Sequence, residues 1–221
     1  MRPMKVKLVV FDVDGVLTEV PSSWAFVHET LGVSEQARRY AEMFERGEIT
    51  YEEWMRLDTE LWVRATNGAI TRWDLERILA RVPLRPEAQD VARCIHRMGK
   101  RLALLSGGID LLVARVASLV GAELWMANSL SFDARWRLVP GGVPAVGVDK
   151  ARALRHIMGE VGVSGAETMY VGDSKWDAAA MQLVGYPVAF GDDPALAQVA
   201  KYRISSLGEV CDLLKKIEGS P

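Results

Sequence analysis

Two cysteines, two asparagines and three histidines are all that the 221 residues hold of those types. Cys94 and Cys211 stand far apart and form no CxxC pair. A reducing cytoplasm is therefore the default setting, and neither thiol is marked as a nucleophile. His28, His96 and His156 are scattered without ligand spacing and read as surface or helix-face residues. The scarcity of Asn, with only four Gln, is a compositional hint of a hot-adapted source. No apolar run approaches the ~18 residues of a membrane span. The short run after MRPMKVK lacks a small-residue cleavage site, so it does not read as a signal peptide, and Met4 is a candidate start. With 27 Lys and Arg against 29 Asp and Glu, net charge is −2 and no basic block stands out, which speaks against a nucleic-acid partner.

What is present suits a globular protein. Hydrophobic residues make up 49% and charged residues 25%, enough apolar material for a real core. The length fits one large domain or one domain with a small insertion. Short apolar segments rich in β-formers predict strands at 5–11, 101–106, 122–128, 167–172, 186–190 and 201–205, and RWRLVP (135–140) predicts an antiparallel hairpin strand. Helical patterns fall between them at 86–98, 109–120, 149–161, 174–184 and 206–217. Strands apolar on both faces and separated by helices predict an α/β fold with a parallel sheet. Residues 20–82 contain no convincing strand and predict helices near 22–31, 34–46, 51–65 and 71–81, with Thr50 and Thr71 as N-caps. Four of the seven tryptophans, Trp24, Trp54, Trp62 and Trp73, sit here, as the core of a small helical domain or the floor of a pocket.

The segment VVFDVDGVLTEV (9–20) runs a buried-strand pattern straight into Asp12 and Asp14. Burying two carboxylates side by side is costly, so the pair needs a reason. Groups that do chemistry in open α/β sheets gather beyond the carboxyl ends of the strands. Ser106-Gly107-Gly108, Asp173 and Asp177 in GDSKWD, and Lys150 at a helix start fall at such places or near them. The Ser-Gly-Gly run also suits a plain strand-to-helix turn, and Asp177 also suits a cap behind Ser174. A cation at a helix N-terminus, as Lys150 is, calls for a nearby anion; Asp149 reads as the N-cap. Converging carboxylates suit a hard cation such as Mg²⁺. A lysine and free amides after a glycine turn suit a phosphate dianion. One aspartate could then attack phosphorus while the other protonates the leaving alcohol.

These motifs resemble those of the haloacid dehalogenase superfamily of phosphatases, and most closely its phosphoserine phosphatase-like branch. FDVDGVLT is similar to the first motif, LLSGG to the second, Lys150 to the third and VGDSKWD to the fourth, with MANSL (126–130) also matching. The resemblance implies a Rossmann-like core over 1–19 and 83–221 with an inserted α-helical cap over 20–82. It implies Asp12 as the nucleophile and a Mg²⁺ ligand, and Asp14 as acid and base whose backbone carbonyl reaches the metal. It implies Ser106 and Gly107 on the phosphoryl oxygens, Lys150 bridging nucleophile and phosphate, Asp173 on the metal, and Asp177 on the metal or one shell out. The expected substrate is a small-molecule phosphomonoester, with no nucleic acid and no membrane; oligomeric state is not legible.

Two departures qualify the resemblance. Aligned on MFERGEITYEEWMRLD, Asp58 falls where that branch carries an arginine that clamps a substrate carboxylate. Asp58 sits in the apolar stripe formed by Tyr51, Trp54, Met55, Leu61, Trp62 and Ala65, while Arg56 points away. Asp58 should repel a free carboxylate and accept an amine or hydroxyls, or else pair with a cap arginine such as Arg38 or Arg72. Trp176 stands where the branch usually has Asn, adding bulk near the pocket. Asp58, Trp54 and Trp176 are therefore the candidates for specificity. The alternatives are a phosphosugar mutase of the β-phosphoglucomutase type, whose first motif FDVDGVLT also resembles, and a non-catalytic binding module. A phosphonatase would need a cap lysine, and 20–82 has none.

Overall fold

The computed structural model describes residues 5–219, so the Met4 start lies outside the described residues. The elements run β1 (Leu8–Phe11), α1 (Ser23–Thr30), α2 (Ser34–Glu45), α3 (Tyr51–Ala65), α4 (Arg72–Leu79), α5 (Ala88–Arg97), β2 (Arg101–Ile109), α6 (Asp110–Val120) and β3 (Leu124–Phe132). They continue β4 (Leu138–Val143), α7 (Lys150–Val161), β5 (Thr168–Gly172), α8 (Ala178–Met181), β6 (Tyr186–Phe190), β7 (Tyr202–Ile204) and α9 (Gly208–Gly219). The sheet order is β4-β3-β2-β1-β5-β6-β7, parallel except for β4, which pairs antiparallel with β3.

Both faces of the central strands are buried, as the unbroken apolar runs require. Val9 and Phe11 face one core with Val91, Ile95, Leu112 and Leu214, whereas Leu8 and Val10 face another with Leu154, Ile157 and Met181. Each such fully buried side chain contributes roughly 1.5–3 kcal/mol. The predicted strands and helices appear in order with small shifts at their ends. Two differences bear on the site. β2 does not stop at Ser106 but runs through both glycines to Ile109, so Ser-Gly-Gly lies in the strand and not in a turn. The predicted helix 174–184 forms only a 3₁₀ turn (Lys175–Asp177) and the four-residue α8.

The four helices α1–α4 form an insert that leaves and rejoins the core through one neck. There Thr18 bridges Leu84, the Arg85 amide donates to Leu17 O at 2.8 Å, and the Arg85 guanidinium donates to Val16 O and Gly15 O. Thr50 and Thr71 both form reciprocal capping boxes, with Glu53 and Asp74. Trp62 is fully buried between the insert helices, but Trp73 is 54% exposed beside Trp136 and belongs to no core. Cys94 of α5 and Cys211 of α9 are joined as a disulfide, which a sequence separation of 117 did not reveal. No helix among the described residues is long and apolar enough to cross a membrane.

Thr50→Ala removes a cap from the helix that carries Tyr51, Trp54 and Asp58. It should lower stability by about 1 kcal/mol, a fall in Tm of roughly 2–4 °C by calorimetry.

Candidate active site

The carboxyl ends of β1, β2 and β5 meet beneath the insert. Asp12 directly follows β1 and its amide donates to Val171 O at 2.9 Å. Its Oδ1 accepts from the Val13 amide at 2.6 Å, and its Oδ2 accepts from Lys150 Nζ. Lys150 opens α7 and is buried. Its second partner is Asp177 Oδ1 at 2.6 Å, and these two anions are what place a cation at this helix start. Asp149 caps the helix by accepting from the Arg152 amide at 2.9 Å.

Asp177 is completely enclosed. Oδ1 also accepts from the Tyr170 hydroxyl at 2.6 Å, and Oδ2 accepts from the amides of Asp173 and Ser174 at 3.0 and 3.1 Å. These bonds keep residues 173–177 in a tight turn, which is why the predicted long helix does not form. One oxygen each from Asp12, Asp173 and Asp177 lies within 4.8 Å of the others. Gly15, at φ +77°, makes room for this arrangement, since a Cβ there would come within 2.0 Å of Asp173 Oδ2.

One ammonium cannot balance this much carboxylate. Burial pushes Asp12 up to about 8, with Lys150 pulling it down and the Asp177 and Asp173 charges adding to the rise. Burial and then the Asp177 charge raise Asp173 to about 6. Burial also opposes ionisation of Asp177, but Lys150 outweighs it and holds that carboxyl below its ordinary range. For Lys150 the cost of burial is overcome by Asp12 and Asp177, which hold its pKa above the usual value. An all-oxygen donor set with surplus negative charge fits a hard divalent cation.

Asp14 is held from the insert. Its Oδ2 accepts from both the amide and the hydroxyl of Ser23, each at 2.7 Å, while its buried Oδ1 has no partner among the described residues. Burial raises its pKa against those two bonds. The Ser23 hydroxyl in turn accepts from the Ile109 amide at 3.1 Å. Gly108 fits beneath this pair only because it lacks a Cβ, which would lie 2.6 Å from Asp14 Oδ2 and 2.7 Å from Ser23 Oγ. Beside it, Ser106 is buried and accepts from the Gly108 amide at 3.1 Å.

A cavity of about 320 Å³ opens above these groups. Its floor is Asp12, Asp14, Ser106–Gly108, Lys150 and Asp173, and its upper wall includes Trp24, Tyr51, Trp54, Met55 and Asp58. Trp176 closes one side, with its ring 6.3 Å from Phe44 of α2, which itself stacks on Trp54 at 4.8 Å. All three specificity candidates thus reach one space. Asp58 pairs with neither Arg38 nor Arg72: its Oδ2 lies 3.3 Å from His28 Nε2. His28 is therefore not a surface residue but is buried, and its Nδ1 accepts from Trp62 Nε1 at 2.9 Å. His96 and His156 are exposed, as expected. Arg56 points away from the cavity and pairs with Glu60.

Sequence reasoning passed over Ser23, His28 and the full role of Asn128. Asn128 is fully buried; Nδ2 donates to Tyr51 Oη and Gly107 O, both at 2.8 Å, and Oδ1 accepts from the Val146 and Gly147 amides. A signal for Ser23 existed in the Ser22-Ser23 pair that starts the first helix after the aspartates. His28 lies one turn after Trp24, and that shared helix face was the only sign of its burial.

Fold and site together define an α/β protein with an acidic centre at parallel strand ends, roofed by a helical insert. The chain belongs to the haloacid dehalogenase-like hydrolases, whose family matches residues 6–185. It is 28% identical over 204 residues to a probable phosphoserine phosphatase of Schizosaccharomyces pombe, covering 91% of this chain and 66% of that protein. It is 29% identical over 202 residues to a phosphoserine phosphatase of Archaeoglobus fulgidus, covering 90% and 56%. The chain thus spans only part of both relatives' length. Among solved structures, a phospho-aspartyl intermediate analogue of phosphoserine phosphatase superposes with a TM-score of 0.77 at 22% identity, over 95% of this chain and 99% of that one.

Two measurements test this geometry. Gly108→Ala should cost about 1–3 kcal/mol in denaturant unfolding, because Asp14 and Ser23 must give way together; an unchanged midpoint would contradict the packing. Burial raises the Asp58 pKa from 3.8 against the His28 hydrogen bond. The folded state therefore holds that proton more tightly than the unfolded chain, and ionisation of Asp58 opposes folding. The penalty is absent below the unfolded value and complete above the folded one. Asp58→Asn keeps an oxygen for His28 and removes the penalty. The Tm of this variant relative to the parent should rise as pH climbs above the ordinary carboxyl value of 3.8.

Proposed function

We propose that the protein is a Mg²⁺-dependent phosphatase that hydrolyses a small-molecule phosphomonoester through an aspartyl-phosphate on Asp12. The observation that carries this reading is the convergence of Asp12, Lys150 and Asp14 on one small cavity, with Ser106 and Gly107 beside them. Asp12 Oδ attacks phosphorus, and the bond from phosphorus to the ester oxygen breaks. Asp14 gives its proton to that oxygen. Ser23 holds Asp14 Oδ2 with two donated hydrogen bonds, which leaves Oδ1 as the oxygen that carries the proton toward the cavity. Asp14, now ionised, takes a proton from the water that opens the aspartyl-phosphate, releasing inorganic phosphate and restoring Asp12.

Lys150 orients Asp12 and offsets charge on the phosphoryl group, and Ser106 and the Gly107 amide receive its oxygens. Asp12, Asp173 and the Asp14 backbone carbonyl are the ligands we assign to Mg²⁺. The ion would offset the repulsion between an anionic nucleophile and an anionic ester and polarise a phosphoryl oxygen. Asp177 already accepts at both oxygens, so in this reading it fixes Lys150 and the 173–174 amides from outside the ligand set. The insert 20–82 acts as a cap that keeps bulk water from the bound ester.

Phosphate release from simple esters should require Mg²⁺, disappear with EDTA and fall by at least about 10³-fold in Asp12→Asn. Release without any bisphosphate activator separates a phosphatase from a mutase of the β-phosphoglucomutase type. Silence of the wild type with Mg²⁺ across a broad ester panel would end the hydrolase reading.

A further inference from the structure

Among the described residues, three buried side-chain polar atoms have no hydrogen-bond partner: Asp14 Oδ1, Trp54 Nε1 and Asp58 Oδ1. All three belong to residues that line the one cavity. An unpaired buried polar atom is costly, and more so when charged, so three around one cavity mark the places where a ligand supplies the missing partners. Asp14 is used by the chemistry proposed above. Asp58 and Trp54 are not.

The surroundings of Asp58 fix what it lacks. An indole N–H can only donate, so His28 Nδ1, which receives it from Trp62, must be bare. The ring proton therefore sits on Nε2, facing Asp58 Oδ2. A histidine in that tautomer gives Asp58 a hydrogen bond but no positive charge. Among the described residues, the only cation lining the cavity is Lys150, and its ammonium is engaged by Asp12 and Asp177. The cavity that Asp58 lines is also lined by the aromatic rings of Trp24, Tyr51 and Trp54. A carboxylate set among aromatic faces is suited to an ammonium group, which gains both the ion pair and the ring quadrupoles.

Resting on the phosphatase reading, we propose that the leaving alcohol of the substrate carries an ammonium group bound by Asp58, and that the substrate is a small aminoalkyl phosphate without a carboxylate. The cavity volume of about 320 Å³ suits a leaving group of a few carbons. A carboxylate on the substrate would face Asp58, and no described residue of the wall offers it a free cation. Trp54 Nε1 is the complementary donor, placed for an oxygen of the same ester.

The test compares 2-aminoethyl phosphate with propyl phosphate, which replaces the ammonium by a methyl group of similar size. Binding is measured by calorimetry with Mg²⁺ in Asp12→Asn, where turnover is blocked, with and without Asp58→Asn. The amine should bind at least about tenfold more tightly than the propyl ester, and phosphoserine should bind more weakly than the amine. Asp58→Asn should bring the amine-to-propyl ratio close to one. Equal affinities, a ratio that survives Asp58→Asn, or binding of neither ester would overturn the proposal. Wild-type phosphate release from propyl phosphate is scored separately, so loss of the amine preference and loss of the hydrolase reading give different results. Asp58→Glu, which keeps the charge, should retain part of the preference, whereas a purely structural role for Asp58 would leave both substitutions without effect on the ratio.

Discussion

Keeping an ammonium and several carboxylates out of water at the end of a buried sheet is the constraint on which the rest of the structure turns. Each buried ion costs several kcal/mol unless its partners are well placed. Lys150 lies between Asp12 and Asp177, and Asp177 spends its remaining capacity on Tyr170 and two backbone amides. The positions of α7, β5 and the 173–177 turn follow from that arrangement. So does the need for a glycine at 15, because no side chain fits between the first loop and Asp173.

The insert is bound into this centre as well as laid over it. Ser23 belongs to the first insert helix, yet both of its donors hold Asp14 and its oxygen receives an amide from the end of β2. Thr59 of α3 accepts from the Gly141 amide at 2.7 Å, which seats the insert on the β3–β4 hairpin as well. The two polypeptide regions therefore share the work of positioning one carboxylate, and neither holds the complete centre by itself.

Much of this was legible in the sequence because it is local. Apolar runs gave the strands, Thr50 and Thr71 gave the helix starts, and aspartates breaking a strand pattern gave the centre. Most of the misses are matters of distant pairing. Trp73 sits in a helical segment with other tryptophans, but its face of α4 meets solvent and Trp136. His28 is a single polar residue on a short helix, and only the approach of Asp58 and Trp62 from α3 gives it a role. Asp58 itself was visible as an acid in an apolar stripe, but whether an arginine or a histidine met it depended on how α1 and α3 cross. The extension of β2 through Ser106 and both glycines escaped because small residues normally end a strand, whereas here Gly108 is needed for close approach to Asp14 and Ser23.

The carbonyl of Gly107 takes one hydrogen bond from Trp24 of the insert and one from Asn128 of the core, and Asn128 uses its other N–H on Tyr51 of the insert. The Gly107 peptide is therefore oriented partly by the insert. Any displacement of the insert relative to the sheet would break the Trp24 bond to that carbonyl and the Tyr51 bond to Asn128 together, so the two regions are mechanically coupled at a single peptide.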